Sequence, residues 1–211
     1  MARPRSADYD GKRGAILRHS AAMFAQNGYD RTSMAEVAAA CGVSKALLYH
    51  YYVSKETLLF DILRAHLQDL IDGVTAVDAT LAPRAHLRAL VGALLESYRD
   101  ADDEHKIQIN ELGKLPAVRR KELIEMERRL VAVFADAIGA VIPEIGRDKI
   151  LLKPVTMSLF GMLNWHYMWF RERGAISRED YADLVTTLLI EGAQALKTGR
   201  KSAAGTSARA G

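Results

Sequence analysis

Between Ser33 and Phe60 the chain spells out two short helices joined by Cys41-Gly42-Val43, with a third opening at Ser54. Local chemistry sets the boundaries. Ser33 with Glu36 three residues on is a capping box: the hydroxyl takes an orphan helix amide and the carboxylate reaches back. Gly42 supplies the left-handed conformation that ends the first helix. Ser44 caps the second, whose first turn is Lys45, Ala46 and Leu47, and Ser54 opens the next with Glu56 in its first turn. Met34, Val37 and Ala38 share a face of the first helix at a spacing that lets them meet Leu48 of the second. Two helices set at a wide angle by so short a turn present the first turn of the second to a major groove. Binding to duplex DNA is the leading expectation.

The remaining sequence narrows the setting. With 211 residues, 49% of them apolar, the chain can bury a proper core. It has no apolar run long enough to span a membrane, no signal-peptide pattern at its start, and a single cysteine, Cys41, so a cytoplasmic protein is expected. The net charge of +3 is unevenly spread. Residues 1–60 carry 8 Lys and Arg against 5 Asp and Glu, 61–196 carry 17 against 21, and 197–211 carry 4 against none. A basic head on an acidic body suits a module that meets phosphates, although scattered surface charge accounts for margins this small equally well.

Helical spacing recurs throughout, without strand-like alternation of useful length. Residues 1–10 are polar, with Arg3 and Arg5 available as a basic arm. A first helix is expected from Lys12 to Gln26 on Ile16, Leu17, Met23 and Phe24, stopped by Asn27-Gly28, and a fourth from Lys55 to about Gly73. Pro83 suits the first position of a helix ending at Tyr98, a short segment spans Glu104 to Lys114, and Pro116 opens a long amphipathic helix that stops before Pro143. One helix is expected over 149–173, with Pro154 starting or kinking it. The last, capped by Ser177, runs to about Lys197, and the Gly-, Ser- and Ala-rich tail 198–211 is expected to be disordered. The fold class is therefore all-α, with a DNA-binding head over 1–54 and a helical body over 55–197.

This order of elements resembles the tetracycline-repressor (TetR) family of bacterial regulators. The likeness is carried by Phe24, Gly28, Tyr29, Thr32 and Ser33, by Val37-Ala38 and Cys41 to Lys45, by Leu48, Tyr49, Tyr51 and Tyr52, and by Lys55, Glu56, Leu58 and Leu59. It implies about nine helices, working as a two-fold dimer on palindromic operators. Lys45, Ala46 and Leu47 lie where side chains reach base edges: Lys45 suits guanine or, about equally, a phosphate, and Ala46 or Leu47 suits thymine methyls. The chain departs from the family at Leu47, where Thr or Ser is common. The resemblance gives Tyr49 and Tyr51 phosphate contacts that fix register, with His50 between them, and Tyr52 a packing role where the family usually has Phe. Ser33 and Lys55, each near a helix N-terminus, are expected phosphate anchors, Thr32 is a weaker one, and Ser44 completes the reading head.

The segment Val155 to Phe170 is apolar nearly all round and needs cover on more than one side. With Tyr181, Leu184, Leu188, Gly192, Ala193 and Ala195 of the last helix, it reads as half of a four-helix dimer seam, the family's usual arrangement. Asn164, Trp165, Tyr167, Trp169 and Phe170 also resemble a stretch in family members that control fatty-acid, steroid and phenylacetate breakdown and respond to acyl-CoA thioesters. On that likeness Leu130, Phe134, Met157, Phe160, Asn164, Trp165 and Met168 line an effector pocket, with Asn164 orienting a carbonyl. Core or interface packing explains each of them as well. Arg171 or Arg173 is a candidate for a CoA phosphate, or else a solvated helix-end charge.

Other classes find less support. The six histidines show no metal-ligand spacing, and there is no Gly-rich phosphate loop or nucleophile elbow, so neither catalysis, nor a metal, nor a cofactor is expected. The expected function is a ligand-responsive regulator, a repressor released from its operator by a hydrophobic or acyl-CoA effector. The alternative is an effector-free DNA-binding member with an architectural or cell-division role.

Overall fold

The computed structural model describes residues 4–207, with side chains at 9 and over 11–196. Among the described residues every regular element is helical, and there is no strand. In chain order the elements are α1 (Pro4–Asn27), α2 (Met34–Ala40), α3 (Lys45–Tyr51), α4 (Lys55–Thr75), α5 (Pro83–Ser97), α6 (Asp102–Glu111), a 3-10 turn (Leu112–Lys114), α7 (Ala117–Val141), α8 (Pro143–Arg147), α9 (Leu152–Asn164), α10 (His166–Trp169) and α11 (Arg178–Ser207). Without α8 and α10, of 5 and 4 residues, nine helices remain, the number the resemblance implies.

The chain divides into two compact units, Met1–Asp69 with Asp100–Glu127, and Leu70–Arg99 with Arg128–Gly211. In the first, α1 packs on α2 and α6. Ile16, Phe24, Val37, Leu48, Leu58, Leu59, Ile62 and Leu63 are almost wholly buried, each contributing about 1.5–3 kcal/mol. Gly28, at φ +85°, ends α1. Gly42, at φ +64°, ends α2: its amide bonds the Ala39 carbonyl at 3.1 Å and the Val43 amide bonds that of Ala38 at 3.0 Å, a Schellman closure. Two lysines tie in the segment after residue 100. The Lys106 ammonium donates to the Ala25 carbonyl at 2.6 Å, and Lys114 pairs with Asp30.

In the second unit α11 packs on α5 and α9 around Leu87, Leu90, Leu94, Ile138, Leu159, Leu163, Val185 and Ile190. Arg88 spans from α5 to Asp183 at 2.7 Å and Glu179 at 3.1 Å. Such solvated pairs contribute little individually. Gly139 of α7 and Gly146 of α8 bring two backbones together: a Cβ on Gly146 would stand 2.7 Å from the Gly139 Cα.

Several boundaries differ from the sequence expectation. α1 is already helical at Pro4, the first described residue, so Arg5 belongs to helical backbone; Arg3 lies outside the described residues. The helix expected over 149–173 is broken. Pro154 stands in the first turn of α9, where a missing amide costs nothing, and the break at Trp165 lets both Leu163 and His166 turn inward. A short helix not expected from the sequence, α8, follows directly from Pro143. The backbone of α11 passes the expected end near Lys197 and continues to Ser207; residues 208–211 lie outside the described residues.

Candidate functional site

α3 is held by one buried anchor. Leu48 is wholly buried, while Lys45, Ala46, Leu47, Tyr49 and His50 are exposed and Tyr51 is half-buried. Seven residues make barely two turns, so a single inward position leaves most of the helix facing solvent. The Ser44 hydroxyl accepts the Leu47 amide at 3.1 Å and fixes the first turn. Lys45 Nζ lies 6.0 Å from the Tyr49 ring centroid, one turn on. Tyr52 closes the helix from inside, 2% exposed, with burial pushing its phenol up to about 12. A cation, two small apolar groups and two phenols thus stand together on one open helix face, the chemistry of groove and phosphate contact.

Two expected phosphate anchors are engaged by the protein's own backbone carbonyls. Thr32 is buried and its hydroxyl donates to the Gly28 carbonyl at 2.9 Å, satisfying an orphan group at the end of α1. Lys55 reaches back to the same loop, donating to the carbonyls of Tyr29 at 2.7 Å, Thr32 at 3.0 Å and Asp30 at 3.4 Å, with its ammonium 4.3 Å from the Tyr29 ring centroid. Ser33 is exposed, its amide donating to the Glu36 carboxylate at 2.7 Å and its oxygen accepting the Glu36 amide at 3.3 Å. Hydrogen bonds from the Ser33 amide and then the Ser33 side chain hold the Glu36 carboxyl below its ordinary range.

The expected effector residues separate into two sets. Leu130, Phe134 and Phe160 are buried, with the two phenylalanine rings edge-to-face at 5.1 Å. Asn164 is half-buried and accepts the Tyr98 hydroxyl at 2.9 Å. Tyr98, at the end of α5, is a partner the sequence did not disclose, because nothing local links residues 66 positions apart. Burial raises its phenol above the ordinary range. Met157, Trp165 and Met168 do not join them: they are 47%, 53% and 58% exposed. The helical period sets Met157, Gly161 and Trp165 opposite the buried Val155, Leu159 and Leu163. α11 shows the same division. Leu184, Leu188, Gly192 and Ala195 face solvent, whereas Tyr181 and Ala193 turn inward. Beneath this face His166 is buried against Phe170 at 4.2 Å and Tyr181 at 5.2 Å, its Nε2 without a hydrogen-bond partner among the described residues. Burial, with Arg178 nearby, lowers its pKa to about 4.

Comparison with known proteins decides the lineage. Residues 16–62 match the family described as bacterial regulatory proteins, tetR family, and residues 80–193 match the tetracyclin repressor-like C-terminal domain. The chain belongs to the TetR family. It is 36% identical over 201 residues to the HTH-type transcriptional repressor KstR2 of Rhodococcus jostii, covering 91% of this chain and 97% of that protein. It is also 32% identical over 127 residues to the HTH-type transcriptional activator FasR of Mycolicibacterium smegmatis, 59% of this chain but only 58% of that protein. Among solved structures, AibR in complex with isovaleryl coenzyme A and operator DNA superposes with a TM-score of 0.73 at 28% identity, over 85% of this chain and 98% of that one. This TetR member is accordingly a transcriptional regulator and not an enzyme. Among the described residues no helix is long and apolar enough to cross a membrane.

Proposed function

We propose that this TetR member binds palindromic operator DNA as a dimer, represses neighbouring genes in the cytoplasm, and is released by a small hydrophobic effector of the acyl-CoA class. The solvent-facing first turn of α3 carries the DNA reading. Lys45, Ala46 and Leu47 reach base edges; Ser33, Ser44, Tyr49, His50 and Tyr51 supply backbone contacts. In this reading residues 1–54 hold the reading head and 55–197 the effector and dimer functions. The exposed apolar strip of Met157, Gly161, Trp165, Leu184, Leu188 and Gly192 supports the dimer, because aligned apolar side chains left in water favour a second copy.

The effector class rests on two supports: the isovaleryl coenzyme A held by AibR, and the Tyr98–Asn164 pair, a polar couple beside buried aromatic rings that suits a thioester carbonyl. Effector binding shifts the population towards a dimer whose heads no longer match half-sites about 34–36 Å apart. One observation favours the effector-free alternative: Phe134, Phe160 and Leu130 already pack closely where the acyl chain would enter. Fluorescence anisotropy of a promoter duplex, titrated with isovaleryl-CoA and longer acyl-CoAs, separates the readings. Release is expected; no response to any thioester favours the effector-free protein, and tighter binding makes the ligand a corepressor. Leu188→Arg should give a monomer by light scattering with weakened operator binding, and an unchanged dimer would remove the seam.

A further inference from the structure

The proposed reading gives Tyr51 a phosphate contact but does not say what aims its ring. α1 extends far enough to answer, because Tyr9 stands on helical backbone rather than on a loose arm. Its ring stacks on that of Tyr51 with centroids 4.7 Å apart and planes inclined by 24°. His50 meets the same Tyr51 ring edge-on at 6.0 Å and 83°. Tyr51 is thus bounded on a face and at an edge by rings from two helices. The Tyr9 ring contributes little to the core, being 43% exposed, whereas Ile16 and Phe24 of the same helix are 2% and 1% exposed.

A stack of two surface tyrosines has a specific effect on binding. A phenol that must leave several rotamers to meet a phosphate loses side-chain freedom on binding; one already pinned by a neighbour does not. Offset stacking supplies the restraint without using the hydroxyl, which stays available to donate. We infer that Tyr9 is a positioning residue for operator binding, holding the Tyr51 phenol in its phosphate-contacting orientation from the unbound state. The inference rests on the phosphate role proposed for Tyr51. It adds a determinant outside the helix-turn-helix, on the stretch that sequence alone reads as an arm acting through Arg3 and Arg5.

The probe is a duplex selected by the wild-type protein from a randomised pool, with a scrambled duplex as its non-specific partner. Tyr9→Leu should weaken binding to both by a similar factor, about two- to ten-fold, because a phosphate contact carries no sequence information. Tyr9→Phe keeps the stack and should bind as wild type, and both variants should melt at the wild-type temperature. Added to Tyr51→Leu, Tyr9→Leu should cost nothing more. Four results overturn the inference: wild-type affinity for Tyr9→Leu, an equal loss for Tyr9→Phe, a loss that follows a lowered melting temperature, or full additivity with Tyr51→Leu. A normal affinity for Tyr51→Leu alone removes the Tyr51 contact, and this inference with it, while leaving operator binding intact. A wild-type chain that enriches no duplex defeats the operator reading itself, a result seen before any variant is made.

Discussion

Lys55 illustrates how a side chain's partners, rather than its position, decide its role. Its ammonium gathers three backbone carbonyls from the loop between α1 and α2, so it behaves as a cap for that loop. Lys55→Ala should therefore lower stability by about 1.5–3 kcal/mol, the range for hydrogen bonds to a charged group, measured by urea unfolding in the absence of DNA. If only operator affinity fell, the phosphate role would be restored. The same contrast explains which site residues the sequence disclosed. Ser33 and Ser44 were legible because a cap acts on an amide three residues ahead. Lys55 and Tyr98 were not, since each is claimed by a group that only the folded chain brings near.

Among the elements, the turn before α3 sets the aim of the reading helix. A Cβ at Gly42 would meet nothing within 4 Å, so the cost of a side chain there is the positive φ alone. Gly42→Ala should cost about 1–2 kcal/mol, seen as a lower urea midpoint with little change in slope. Gly42→Asn should recover part of it, because Asn tolerates that region better. Helix identity was legible from apolar spacing over most of the described residues, though not at α8 or at the ends of α1 and α11, and the head's boundaries were legible from its caps. The break at Trp165 was not, because a continuous aromatic run reads as one helix whichever way its rings turn. Met157 lies on an open face by helical period alone, while Trp165 and Met168, also exposed, stand at and beyond that break.

For the molecule as a whole, pH is an informative variable. Burial lowers His66 to about 3, with His105 adding to the shift, and lowers His166 to about 4, from an ordinary 6.5. Both are neutral when folded and take up a proton more readily when unfolded, so stability is full above pH 6.5 and declines as pH falls towards those lowered values. Each should contribute a slope of up to about 1.4 kcal/mol per pH unit. Glu104, raised by burial, has the opposite sign: its contribution sets in above 4.5, as pH falls through its raised value, and is complete below 4.5. Between pH 6.5 and 4.5 the histidines should dominate, and His166→Phe, which fills the same aromatic cage with a ring that takes no proton, should flatten the acid limb of an unfolding series. An unaltered limb would remove His166 from the account.

The meeting of Gly139 and Gly146 bears on what this chain can become. A methyl at 146 would press on main-chain atoms, which have no rotamer to give way, whereas one at 139 meets its neighbour at 3.2 Å. A saturation library sorted for folded protein should return a blank column at 146 and a sparse one at 139. Variation at 146 is closed to single steps, and any lineage that alters that position has to move the two helices apart first.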